Sequence, residues 1–328
     1  MSKRTILAVG LLVAWAGALG WHVKREYFPA RSTLLTRGAS GIPPGPAYYR
    51  LSWDDRRLGW ARVEVDTLPG GGFDLATLLE LRAGPLGLSG SLRAETTARL
   101  GSDLGLQRFT ASAGGSLLSG LSGAGGLAAV TGGGSGARDD SAAPAGAGDT
   151  LQAQGRLEGD STLVAVVRRG GRPDTLRLST GGDLIPLGAL PIRLAADPRV
   201  QPGSRVAVRL LDPRSASVRT VELRVREEAT RIFPDSARRD TATGSWAVAG
   251  RDTVQAWRVT PGEGGLPVSA WVDEDGRLLE ARLGSALRLE RTAFELAFYP
   301  SDSAASAGAG AGGRPQDLQD PRDGGGTP

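Results

Sequence analysis

Carboxylates are the only side chains in this sequence placed to do chemistry, and they stand in pairs. Asp54-Asp55, Asp139-Asp140 and Asp273-Glu274-Asp275-Gly276 are among the places where they adjoin. Two carboxylates facing one cleft would suit glycoside hydrolysis, and an acidic loop would suit a hard cation. Each group stands instead among turn or linker residues. The 273–276 run lacks the further ligands and the terminal Glu of an EF-hand loop. Its Asp-Gly lies between alternating apolar runs, which is a strong hairpin signal, and the bland reading is a solvated turn. The glycine runs at 70–72 and 132–134 open no helix and precede no Gly-Lys-Ser/Thr, so they are not phosphate loops.

What is missing narrows the chemistry further. The only histidine is His22, the only lysines are Lys3 and Lys24, and there is no cysteine. Ser-His-Asp and Cys-His sites need an imidazole beside the nucleophile, and a Ser-Lys dyad needs a lysine that the later chain does not have. Zinc bound by carboxylates alone is uncommon. Disulfides, a thiolate nucleophile and lipid attachment at cysteine all fall away. The sequence is therefore read as non-enzymatic, with no catalytic residue, no metal ligands and no cofactor.

The net charge is +4 and the pI near 9.9, but the arginines alternate with Asp and Glu and form no basic block. That argues against nucleic acid as a partner. Lys3 and Arg4 precede an apolar run at 6–21, and His22, Lys24 and Arg25 follow it. With its borders the run just reaches the ~17–25 residues that span a bilayer core, and Trp21 and Tyr27 suit the interface. Two readings compete. One is an uncleaved signal-anchor; the other is a cleaved signal peptide with Ala16-Gly17-Ala18 as its site. The run continues past that site to a charged stop, which favours the anchor. On this reading the protein is single-pass in the inner membrane, with most of the chain on the periplasmic side.

Several elements follow from this division. Residues 1–27 are a cytoplasmic stub and transmembrane anchor. Residues 28–46 read as a linker broken by Pro29, Gly38, Gly41 and Pro43 to Pro46. From 47 to 300 short segments alternate polar and apolar residues with period 2, separated by Gly, Asp or Pro turns every 8–12 residues, as in antiparallel sheets. The 58–68 segment puts Ala61, Val63 and Val65 on one face, with Trp60 closing an end. Residues 114–148 are mostly Gly, Ala and Ser and read as a flexible insertion that interrupts a hairpin. Residues 184–195 crowd Leu and Ile between Pro186 and Pro191, which predicts one or two helical turns packed on a sheet. A closing strand is predicted over 287–298, with Phe294, Leu296 and Phe298 on one face. The tail at 301–328 is rich in Gly, Ala, Ser, Pro and Asp and reads as disordered. The fold class is mainly β: a large curved antiparallel sheet or half-barrel with few short helices, behind an N-terminal transmembrane helix.

Trp53, Trp60, Trp246, Trp257 and Trp271 all lie on or beside predicted strands. They either line an apolar cavity, as in barrels that hold a small ligand, or fill an ordinary core, the commoner fate of strand-borne tryptophan. On the cavity reading Trp60, Trp257 and Trp271 line the site, with Leu187 and Leu190 supplied by a lid at 184–194.

Three stretches carry a resemblance. Residues 48–53 followed by Leu58-Gly59-Trp60-Ala61 resemble the opening hairpin of bacterial envelope proteins of the DUF3108 type. Residues 206–212 after Gln201-Pro202-Gly203, and Trp271-Val272-Asp273-Glu274-Asp275-Gly276-Arg277-Leu278, resemble two later strands of that family. Similar regions precede transglutaminase-like domains in some membrane-anchored proteins, but the Cys-His pair of those domains is missing here. The wider group includes the LolA/LolB lipoprotein carriers, whose curved antiparallel sheet wraps an apolar cavity. The resemblance implies a lipid or a lipoprotein as ligand. The alternative is a scaffold subunit that docks another envelope protein.

Overall fold

The computed structural model describes residues 31–82, 90–117, 150–159, 161–212, 217–262, 268–284 and 286–299. The predicted anchor, nearly all of the insertion and the tail lie outside them. No helix among the described residues is long and apolar enough to cross a membrane.

Among the described residues fourteen strands form one sheet, in the order β8-β7-β6-β5-β4-β3-β2-β1-β14-β13-β12-β11-β10-β9. Chain neighbours pair as antiparallel hairpins, save β8 and β9, and β1 (Gly45–Trp53) also pairs with β14 (Leu287–Thr292), Tyr48 facing Thr292 and Trp53 facing Leu287. The sheet is thus two meanders joined at the first and last strands. β2 (Arg56–Thr67), β3 (Phe73–Arg82), β4 (Ser91–Leu100), β5 (Leu106–Gly114), β6 (Thr150–Glu158), β7 (Thr162–Arg169) and β8 (Arg172–Ser179) make one arm. β13 (Leu278–Leu283), β12 (Val268–Asp273), β11 (Trp246–Pro261), β10 (Ser217–Arg239) and β9 (Arg205–Asp212) make the other. β5 and β6 pair directly, with Gly114 opposite Thr150, across the segment read as an insertion.

The sheet curls but does not close as a barrel. Strands β8 and β9 are its two edges. Leu184 and Ile185 link β5 of one arm to β9 of the other: the Leu106 N–H donates to Leu184 O at 2.9 Å, and the Ile185 N–H to Arg209 O at 3.0 Å. The chain then turns inward as a 3-10 turn (Leu187–Ala189) and a short helix, α2 (Leu190–Ala196), as the crowded apolar segment predicts. Ala189, Ile192, Leu194 and Ala196 are buried against Phe73, Leu75, Leu100, Leu104, Leu163, Val208 and Val272. This plug fills the end of the concave face where β2, β4 and β8 finish and β3, β5 and β7 begin.

Two expectations are corrected. The 28–46 segment is not merely a linker: Arg31–Ala39 is a helix, α1, and Leu35, Ala39 and Ile42 belong to the main core. The breakers misled because most of them border the helix, and Gly38 serves a close approach. A Cβ at Gly38 would overlap the Ala196 carbonyl, so only glycine lets α1 lie on α2. The folded unit therefore begins by Arg31 and not at Ala47. The closing strand also ends early, at Thr292, and Phe294–Phe298 form a five-residue helix, α3. Phe294 and Phe298 share a face of a strand, but at i, i+4 they also share a face of a helix, and their rings lie 4.6 Å apart.

The hairpin β10–β11 is longer than its apolar pattern announces. Register shifts near Glu227 and Ser236 bend it, as bulges do. Its far half lies against the face of β12 and β13 that points away from the plug: Phe233 packs with Ala256, Leu279 and Trp271. Arg231 lies over the Trp271 ring at 4.6 Å and reaches Glu280 at 3.3 Å.

Candidate functional site

Strand parity decides where each predicted lining residue lies. Ala61, Val63 and Val65 face the core as expected, so Trp60 faces away. Its ring packs on Phe298 of α3, 4.2 Å between centroids. Trp271 also faces away from the plug and is covered by Arg231 and the long hairpin. Trp257 shares the concave face with its register partner Val272. Leu190 packs on the main core, whereas Leu187, at the start of the plug, is 63 % exposed. The five residues are not brought into one cavity. Trp257, Leu187 and Leu190 belong to the concave side, and Trp60 and Trp271 to the other.

The concave face nevertheless has an apolar half that the plug leaves uncovered. Opposite the plug, register partners run across six strands as Ala281, Leu289, Leu51, Gly59, Leu81 and, on β4, Leu92. One step nearer the rim come Leu283, Leu287 and Trp53. One step deeper lie Ala61, Leu79, Ala94, Ala113 and Leu151. Leu51 and Ala61 are buried, Leu79, Leu81, Leu92, Leu151, Leu287 and Leu289 are half-buried, and Trp53 and Leu283 are exposed. Thr96, on the same face in the middle of β4, is exposed as well. The wall is therefore apolar at the rim, lined with alanine and leucine further in, and partly open to water. Period-2 alternation signalled each strand's apolar face, but how far the plug reaches along it depends on tertiary contacts that no local pattern carries.

Where the β12–β13 turn meets the plug sits a buried polar group that composition alone does not reveal. Asp273 is 1 % exposed, so the 273–276 turn is not the solvated acidic loop expected. Its carboxylate accepts from the Arg277 backbone N–H at 2.6 Å and from Arg291 at 2.9 Å. Gly276 has φ 73° and lies where a Cβ would press on the Ile192 backbone, so the turn locks against α2. Arg291 lies over the Phe233 ring at 4.0 Å. Its register partner, Tyr49, is also buried. Burial pushes the Asp273 carboxyl up and the Arg291 guanidinium down, each toward its neutral form. This arrangement pins β1, β14 and the β12–β13 turn to one another.

Burial also pushes the Tyr49 hydroxyl well above the ordinary tyrosine range, against the attraction of Arg291. The folded-state value exceeds the unfolded value of 10.0. Stability from this group is thus full below pH 10 and falls as pH rises above it, by up to about 1.4 kcal/mol per pH unit. Denaturant midpoints measured from pH 8 to 11.5 should show this slope in the native protein and a shallower one in Tyr49→Phe.

On the opposite face Glu280 is held by Arg282 at 2.7 Å, Arg288 at 3.2 Å and Arg231 at 3.3 Å. Burial works against its charge, but the Arg282 hydrogen bond and the neighbouring guanidinium charges outweigh it and hold the carboxyl below the usual range. A shallow depression of about 320 Å3 opens on the convex side of β4–β7, lined by Glu95, Thr97, Thr110, Ser112, Gln152, Gln154 and Arg168 among others. These are the solvent-facing residues of a half-wet sheet. Among the described residues no group of three or more His, Cys, Asp or Glu side chains stands close enough to hold a metal ion.

No family model and no curated protein matches this chain. A solved structure that it is similar to is a β-barrel-like protein of a domain of unknown function, DUF1849, from Brucella abortus. The two are 13 % identical with a TM-score of 0.45, over 77 % of this chain and 97 % of the other.

Proposed function

We propose that this is a membrane-anchored, periplasmic, non-enzymatic domain that binds the apolar chain of a lipid or a lipoprotein on the concave face of its sheet. One observation carries the reading: the plug covers only one end of that face and leaves Leu79, Leu81, Leu92 and Leu289 half-exposed on a wall that is apolar at the rim and lined with alanine and leucine further in. Apolar surface open to water along one continuous wall is what an acyl chain would bury. At about 25 cal/mol per Å2, a few hundred Å2 of such contact is enough for a specific site. The shortage of groups for acid–base or nucleophilic chemistry supports binding over catalysis.

A test follows from the wall itself. Leu81→Arg places a charge on the half-exposed lining far from the plug, so the melting temperature should change by only a few degrees. Displacement titration with a fluorescent fatty acid should then show at least a tenfold loss of affinity, the effect of about 1.4 kcal/mol or more. Unchanged affinity would take the ligand off this face. The open seam between edge strands β8 and β9 favours a second reading, a scaffold that accepts a partner's strand. Pro173, Asp174 and Arg177 on β8 are features that guard an edge and weigh against it.

A further inference from the structure

We propose that the end of the sheet carrying α3 and the tip of the β10–β11 hairpin rests on the phospholipid surface, with Phe294 and Tyr299 at headgroup depth; this depends on the reading of the N-terminal run as a bilayer anchor. Three observations converge on that end. First, α1 delivers the chain into β1 at Gly45, and β14 finishes beside it, Thr292 opposite Tyr48, so α3 begins at the end of the sheet where the chain arrives. The long hairpin runs on past Asp273, where β12 stops, and its Trp246 stacks on Tyr299 at 5.8 Å. Second, Phe294 is 47 % exposed although its ring packs on Tyr48 and Phe298, and Tyr299, stacked on Trp246, is 52 % exposed. Exposed rings of this kind gain most at the headgroup level of a bilayer, and the exposed Arg238 and Arg239 beside the hairpin tip suit lipid phosphates.

Third, the tether is short. Seven residues separate Val23 from Arg31, and they reach at most about 25 Å. A domain held so closely presents its arriving end to the bilayer at all times. The chain's own tail is a poor substitute cover: residues 301–328 contain a single large apolar side chain, Leu318.

The cysteine-free sequence makes the test direct. Full-length protein carrying Phe294→Cys, Tyr299→Cys or, as control, Thr175→Cys on exposed β8 is spin-labelled and reconstituted into phosphatidylcholine–phosphatidylglycerol vesicles. Flotation of all three reports the anchor. The labels at 294 and 299 should lose most of their collisions with a water-soluble nickel reagent and gain collisions with oxygen, while the label at 175 stays aqueous. Flotation with 294 and 299 as aqueous as 175 overturns the docking alone. Failure to float removes the anchor, and the docking with it. Shielding that disappears when 301–328 are deleted would mean that the tail covers the rings, and would likewise overturn the proposal.

Discussion

Asp273→Asn should lower the unfolding free energy by about 3–5 kcal/mol, the loss seen when one member of a buried ion pair is removed. The Arg291 guanidinium, 12 % exposed, would keep its charge and lose its carboxylate. The turn that seats Gly276 against α2 would lose the stronger acceptor of the Arg277 N–H. The effect should therefore spread to β1 and β14, on which Tyr49 and Arg291 stand. Asp273→Asn combined with Arg291→Met should recover a large part of the loss, because it removes the orphaned charge and leaves an apolar chain over Phe233. Urea unfolding of the three proteins measures this. A loss below about 1 kcal/mol in the single variant would contradict the account of Asp273 as a buried anchor and restore the solvated acidic turn.

Gly38→Ala is the second large effect. The added methyl meets the Ala196 carbonyl backbone, which cannot swing aside as a flexible side chain would. It should cost about 1–3 kcal/mol or more by forcing α1 from α2, and Leu35→Ala, at a residue 1 % exposed, about 2–5 kcal/mol. A linker would respond to neither change by more than about 0.5 kcal/mol. Thermal or urea melts of residues 28–300 with each change decide whether α1 is part of the folded unit.

Most of the architecture was legible because it rests on period 2. Alternation such as Ala61-Val63-Val65 against Arg62-Glu64, closed by Pro69-Gly70-Gly71-Gly72, places a strand and its turn with no tertiary knowledge. The Leu/Ile crowding at 184–195 likewise announces a packed helical turn. The misses have physical causes. Residues 31–39 carry a glycine that marks a helix contact, a use that only the partner helix reveals. Residues 294–298 satisfy a strand and a helix pattern equally over so short a span. The far half of β10–β11 contains Pro234 and Gly250, beside which the register shifts, and Gly244 in its turn. The candidate site was half legible. The apolar strand faces were readable, but Trp60 and Trp271 were drawn to the cavity by residue type, while their parity sends them to the opposite face. The Tyr49–Asp273–Arg291 cluster joins residues more than 220 positions apart and leaves no local signal.

The claim that the concave face holds an apolar chain is tested most directly by native mass spectrometry of residues 28–300, produced without anchor and tail and keeping α1 whole, with solvent extraction of whatever accompanies the protein. The account predicts a stoichiometric acyl-bearing species in the native protein that is lost in Leu81→Arg. A clean unliganded mass from a well-folded β protein that also takes up no added fatty acid would contradict it.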